Sequence, residues 1–168
     1  MLTTLRIRNL ALVADLTIEF DRGLTVITGE TGAGKSVILG ALNLVLGQRA
    51  DRTLLRSGAD ACTVEAVFDV TGLRTPLAAF LVENGLESGD PGQLILKRTF
   101  TASGTNRQFV NGSPTTLDRL AVLGQRLTQA VTLRKRWWIC MVRMSTSPCF
   151  SPRDNWPFWM RLDGSPSG

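Results

Sequence analysis

Histidine and tyrosine are absent from the 168 residues, and cysteine occurs only three times. Without histidine the chain has no imidazole to ligate a metal or act as a general base. Cys62, Cys140 and Cys149 lack the paired spacing of a disulfide framework or a thiolate metal site, and this sparse usage fits a reducing cytosol. No apolar run reaches membrane length and no secretory leader is evident, so the expected location is cytoplasmic, with no membrane partner. Acidic residues are fewer than basic ones, giving a net charge of +5 and a pI of 9.9. That excess is concentrated. After Leu127 stand six basic residues (Arg134, Lys135, Arg136, Arg143, Arg153 and Arg161) against only Asp154 and Asp163, together with all four Trp.

What the chain does have is Gly29-Glu30-Thr31-Gly32-Ala33-Gly34-Lys35-Ser36, which satisfies G-x-x-x-x-G-K-[ST] at every fixed position. Its flanks are those the pattern requires. Leu24 to Thr28 is short, apolar and β-branched, and reads as a buried strand. Val37 to Leu46 is apolar over a helical length and stops at Gly47, a natural C-cap. In such a loop the glycines let backbone N–H groups turn inward around phosphates, and the N-terminus of the following helix favours anions. Lys35 would reach the β- and γ-phosphates of ATP, and the Ser36 hydroxyl would complete a Mg²⁺ shell.

Around this motif the pattern is mainly β. Leu2 to Asn9, Asp15 to Phe20 and Cys62 to Val70 alternate apolar and polar residues. Leu94 to Thr101 pairs with Arg107 to Val110 across a turn at residues 102 to 106. Pro76 to Asn84 forms a short helix ending at Gly85, and Thr115 or Thr116 caps a helix to about Leu127. Three strands thus precede the first helix. Simple nucleotide kinases open on their phosphate-loop strand, whereas ABC-type ATPase heads place a small antiparallel sheet before it.

Four blocks carry a closer resemblance: Leu2 to Leu10, Gly23 to Ser36, Gly47-Gln48-Arg49-Ala50, and Phe109-Val110-Asn111-Gly112-Ser113-Pro114. In this order they resemble the RecN family, bacterial DNA-repair ATPases related to the SMC proteins. The resemblance covers residues 1 to about 127. It implies an α/β fold, the N-terminal part of an ABC/SMC-type P-loop ATPase head, with antiparallel strands and then strand, phosphate loop and helix. It also implies ATP and Mg²⁺ as cofactors, DNA and a head-to-head homodimer as partners, and a nucleoid-associated cytoplasmic location. The family's coiled coil, signature motif and acidic Walker B strand come later and have no counterpart here, so the fragment is expected to lack hydrolysis on its own.

Beyond Leu127 the resemblance stops, and the codons indicate why. Trp137-Trp138-Ile139-Cys140-Met141 is encoded by TGG, TGG, ATH, TGY and ATG. Read from the third base of the preceding codon, these give (Leu/Val/Met)-Val-Asp-(Leu/Met)-(His/Tyr), followed by a forced Gly. Continuing to Phe150 permits Pro-His-Glu-His-Gln-Ser-Leu-Phe if Ser145 and Ser147 use AGY codons. RecN-like chains carry a similar segment at this point. Residues 128 to 168 therefore read as an out-of-frame, non-native tail, expected to be disordered. The competing interpretation takes Arg134-Lys135-Arg136-Trp137-Trp138 as a patch for nucleic acid or a membrane interface, because cations bind phosphates and Trp stacks on bases.

Other polar residues are read more plainly. Arg49, Arg52 and Arg56 lie where SMC-like heads carry an arginine loop, but a solvated basic loop serves equally well. By resemblance Arg6 and Asn9 could contact adenine or phosphate, although exposed strand polarity explains them too. Asn43 suits a local polar contact. Cys62 suits a small core position, and Arg98 and Arg107 suit solvated faces of the hairpin. A transporter ATPase subunit is the alternative function; lacking Tyr, it would have to stack its base on Phe20. Resequencing the gene through codons 127 to 137 tests the tail: the expected result is a length change that is not a multiple of three, and an intact frame would contradict it.

Overall fold

The computed structural model describes residues 1–21, 23–29, 32–50, 52–72, 74–133 and 137–143. Its main sheet has six strands in the order β2-β1-β4-β5-β6-β7, all neighbours antiparallel. These are β1 (Leu2–Leu10), β2 (Val13–Glu19), β4 (Ala61–Asp69), β5 (Gln93–Thr101), β6 (Asn106–Val110) and β7 (Ser113–Thr115). The phosphate-loop strand β3 (Gly23–Gly29) stands in a separate parallel pair with β8 (Trp137–Arg143). Three helices complete the order: α1 (Gly32–Val45), α2 (Arg74–Glu83) and α3 (Leu117–Leu133).

Alternation explains the main sheet. Along β4, Cys62, Val64, Ala66 and Phe68 are buried, and along β5, Leu94, Leu96 and Phe100 are buried. These residues share one face because strand side chains alternate. Over that face lies α1, packed on β1, β4 and β5 through residues such as Ile38, Ala41 and Val45, while α3 packs on β6. Burying each large apolar side chain contributes roughly 1.5–3 kcal/mol, so this layer dominates stability. The opposite face carries polar cross-strand pairs instead. Glu65 and Lys97 are register partners with an ion pair of 3.4 Å, and the Thr63 and Thr99 hydroxyls lie 3.1 Å apart.

Turn chemistry sets the register. Asn111 and Gly112 have φ of 49° and 86°, and they join Val110 to its partner Ser113 in a two-residue type I′ hairpin. The Asn111 side chain accepts from Ile95 N at 2.8 Å and donates to Glu87 O at 2.8 Å, tying the hairpin to the start of β5. Thr116 caps α3 by accepting from Arg119 N at 3.4 Å.

At the end of α1, Gly47 N donates to Leu44 O at 3.1 Å and Gln48 N donates to Asn43 O at 2.9 Å, a Schellman closure with Gly47 at φ 98°. There α1 touches α3 backbone to backbone. A Cβ on Gly47 would lie 2.5 Å from Ala121 Cα, and a Cβ on Gly124 would lie 2.3 Å from Leu46 O.

Two expectations change. Disorder after about residue 127 does not hold for the described part of the tail: α3 runs on to Leu133, and Trp137–Arg143 forms β8. The reason is local. Residues 128 to 133 hold no Gly or Pro to end the helix, and Trp137 to Val142 is an apolar run of high strand propensity that pairs with β3. Residues 134–136 and 144–168 lie outside the described residues. Arg98, expected on a solvated face, is instead buried, because it occupies the inward position between Leu96 and Phe100.

Two glycines, one within α1 and one just past its end, give opposite predictions. Gly47→Ala is expected to destabilise by about 2–4 kcal/mol, since it combines a strained φ with collision against α3. Gly40→Ala meets nothing within 4 Å and is expected to stabilise by about 0.5–1 kcal/mol. Urea unfolding monitored by circular dichroism distinguishes them; equal midpoints would contradict this packing.

Candidate functional site

The loop spans the gap between the end of β3 and the start of α1. Gly29 ends β3, Gly32 and Ala33 open α1, and Glu30 and Thr31 lie outside the described residues. Gly34 and Ser36 are exposed, whereas Lys35 is 8% exposed. The structure thus brings Gly29, Gly32, Ala33, Gly34, Lys35 and Ser36 to one helix N-terminus.

Three features of this terminus suit an anion. No acidic residue stands in the first turn of α1, an arrangement that suits an anion at the positive end of the helix dipole. A Cβ built on Gly34 meets no atom within 4 Å, leaving room for a ligand to approach the backbone. Lys35 and Ser36 follow directly, an ammonium group and a hydroxyl within the first turn and a half of the helix. Among the described residues no group of three His, Cys, Asp or Glu side chains could hold a metal.

The far end of α1 is held differently. Arg98, 1% exposed, donates from Nη1 to Leu44 O at 2.9 Å and to Gln48 O, and from Nε to Asn106 Oδ1 at 3.1 Å. Gln108, its register partner, donates to the same Asn106 Oδ1 at 3.0 Å. Nη2 of Arg98 is buried with no hydrogen-bond partner among the described residues. Burial draws the guanidinium pKa below its ordinary value. Hydrogen bonds from a charged donor are worth about 1.5–3 kcal/mol each, while burying an ion costs several kcal/mol, so Arg98 comes close to neutral for stability. It does fix the geometry of the helix end.

The remaining candidates have other partners or positions. Asn9 donates to Ala61 O at 3.1 Å and acts as a strand tether. Arg6 and Arg8 are exposed and meet Asp15 at 3.6 Å and 3.1 Å. Arg49 follows the C-terminal end of α1, and fourteen residues of helix put that end about 20 Å from the loop. Arg56 and Arg107 are exposed, and the Arg52 side chain lies outside the described residues. Asn43 is half-buried and contributes its carbonyl to the α1 cap. Phe20 is 6% exposed within the core. The Arg98, Asn106 and Gln108 cluster is the feature that reading the sequence missed. A charged residue at an inward position of an alternating strand was the available signal.

Comparison with known proteins adds three findings. The AAA domain family matches residues 4–152. DNA repair protein RecN of Vibrio cholerae is 42% identical over 127 residues, 76% of this chain and 22% of that protein. The chain therefore spans about a fifth of the length of this curated relative. Among solved structures, an SMC ATPase studied for ATP-driven dimerization and DNA-stimulated activation superposes with a TM-score of 0.58 at 20% identity, covering 72% of this chain and 75% of that one. The recombination mediator protein RecF with ATP superposes at a TM-score of 0.52 and 19% identity, covering 68% of this chain and 27% of that one. At such identities these two matches establish the fold: an α/β N-terminal portion of an SMC-type ATPase head.

Cys62 is excluded as a nucleophile. It is fully buried, and desolvation pushes its thiol up to about 12. A thiol pKa raised above the unfolded value of about 8.5 contributes stability that is present below that pH and lost as pH climbs towards 12. At pH 8 the folded chain should leave Cys62 unmodified by iodoacetamide, and urea should expose it, as peptide mass mapping reads. Rapid labelling in the folded state would contradict the burial.

Proposed function

Because this chain belongs to the AAA domain family and is RecN-like over about three-quarters of its length, we propose that it is the ATP-binding N-terminal segment of a DNA-repair ATPase acting in recombinational repair of double-strand breaks. The observation that carries this reading is the phosphate-loop sequence at a helix whose first turn holds no acidic residue, with Lys35 buried and Gly34 open beside it.

In this reading the N–H groups from Gly29 through Gly34, with Glu30, Thr31, Gly32 and Ala33 between them, surround the phosphates. Lys35 holds the β- and γ-phosphates by charge. Ser36 offers its hydroxyl to Mg²⁺, which when bound neutralises phosphate charge. Likeness to an SMC ATPase with ATP-driven dimerization and to RecF with ATP supports nucleotide as the ligand. DNA and a second head are the partners proposed for the intact protein, again by likeness to RecN and the SMC ATPase. A nucleoid-associated, cytoplasmic setting follows from the same proposal; no described helix is long and apolar enough to cross a membrane.

Residues 128–168 are proposed to be an out-of-frame tail, on the codon argument. Hydrolysis would then need groups from the remaining length of the relatives: an acidic residue to orient metal and water, and a signature motif from an opposing head. The transporter alternative is disfavoured by Phe20, which is packed in the core and unavailable for stacking.

Titration calorimetry with Mg-ATP tests the site. Lys35→Ala is expected to abolish binding, because it removes the phosphate-facing charge; unchanged affinity would overturn the assignment. Phosphate release tests the fragment reading. The 168-residue chain should show negligible turnover, and a frame-restored chain with its C-terminal portion should show turnover stimulated by linear double-stranded DNA. Robust turnover by the short chain would refute it, and DNA-indifferent turnover by the restored chain would favour the transporter type.

A further inference from the structure

Arg98 is a buried cation that the phosphate site does not use. It sits on β5 beneath the C-terminal end of α1, and the acceptors it meets are uncharged: Leu44 O, Gln48 O and Asn106 Oδ1. Its bonds and its burial nearly offset each other, so stability alone gives little reason for a guanidinium there. Geometry gives a better one. The fork of Arg98 grips the last turn of α1 and the residue just past its Schellman closure, while Asn106 and Gln108 fix the fork to β6. The opposite end of the same helix presents Lys35 and Ser36. A continuously hydrogen-bonded helix moves as a rod, so the position of one end constrains the other.

We propose that Arg98, oriented by Asn106 and Gln108, is a positioning residue for the phosphate loop, acting through α1 by registering that helix against the antiparallel sheet. The proposal rests on the loop being the nucleotide site. An ammonium cannot substitute: lysine would keep the charge near the helix C-terminus but lose the planar fork that reaches two carbonyls and a carboxamide together. By reciprocity, nucleotide at the N-terminal end should in turn restrain the C-terminal end.

The test uses the full 168-residue chain with Mg-ATP as the probe, comparing the unaltered chain with Lys35→Ala, Arg98→Lys and Asn106→Ala. Affinity is read by calorimetry, and amide hydrogen exchange of Leu46, Gly47 and Gln48 is read with and without Mg-ATP. In the unaltered chain Mg-ATP should slow exchange at these three amides. Arg98→Lys should weaken binding about fivefold or more and remove that nucleotide-dependent slowing, with a cooperative unfolding transition retained. Asn106→Ala, at an exposed residue, should act in the same direction. It carries the test if Arg98→Lys does not fold.

No binding by the unaltered chain, or unchanged binding by Lys35→Ala, would overturn the site assignment and this proposal with it. Loss of binding in Lys35→Ala, with Arg98→Lys (or Asn106→Ala in its place) matching the unaltered chain in affinity and in nucleotide-dependent exchange, would leave the site standing. In that case Arg98 would be a purely structural residue.

Discussion

The anchorage of α1 at its C-terminal end is the constraint on which the rest of the structure depends. The helix must lie on the antiparallel sheet to bury Ile38, Ala41, Leu42 and Val45, and it must also follow β3 closely in the chain. Apolar contact is indifferent to small sliding or rotation. Directional contacts at the helix end remove that freedom: the Gly47 closure, the backbone approach of Gly124 to Leu46, and the guanidinium of Arg98. Each tolerates little displacement, because a hydrogen bond weakens within a few tenths of an ångström and a backbone contact cannot compress.

Charge is distributed along α1 in a consistent sense. Its N-terminal turn is free of carboxylates and carries Lys35, while a cation sits under its C-terminal carbonyls. The second arrangement complements the helix dipole directly. The first suits an anionic ligand, which a helix N-terminus accepts. The ion pairs of Arg8 with Asp15 and of Lys97 with Glu65 are exposed or half-exposed. Pairs of this kind are worth about 1 kcal/mol at most, so they decorate the sheet rather than organise it.

Much of this was legible in the sequence, for identifiable reasons. Period-two alternation marked β1, β4 and β5 because one face of each is buried and the other is not, and Gly47 and Gly85 marked helix ends because only glycine takes a positive φ there without strain. The pairing of β5 with β6 followed from the turn between them. What stayed hidden was tertiary. Arg98 looked like surface because charge usually is, although its inward slot between Leu96 and Phe100 was visible. β8 was hidden because an apolar run declares a strand without declaring its partner. The separation of β3 from the main sheet could not be read from local pattern either, since a short buried strand looks the same in any sheet.

Phosphate recognition is the role proposed for the N-terminal turn of α1. Backbone amide resonances report this most directly, followed while Mg-ATP, Mg-pyrophosphate or adenosine is added to the same sample. Amides from Gly32 to Ser36 are expected to shift with ATP and with pyrophosphate and to stay in place with adenosine. Shifts confined to other regions, or shifts with adenosine and none with pyrophosphate, would contradict it.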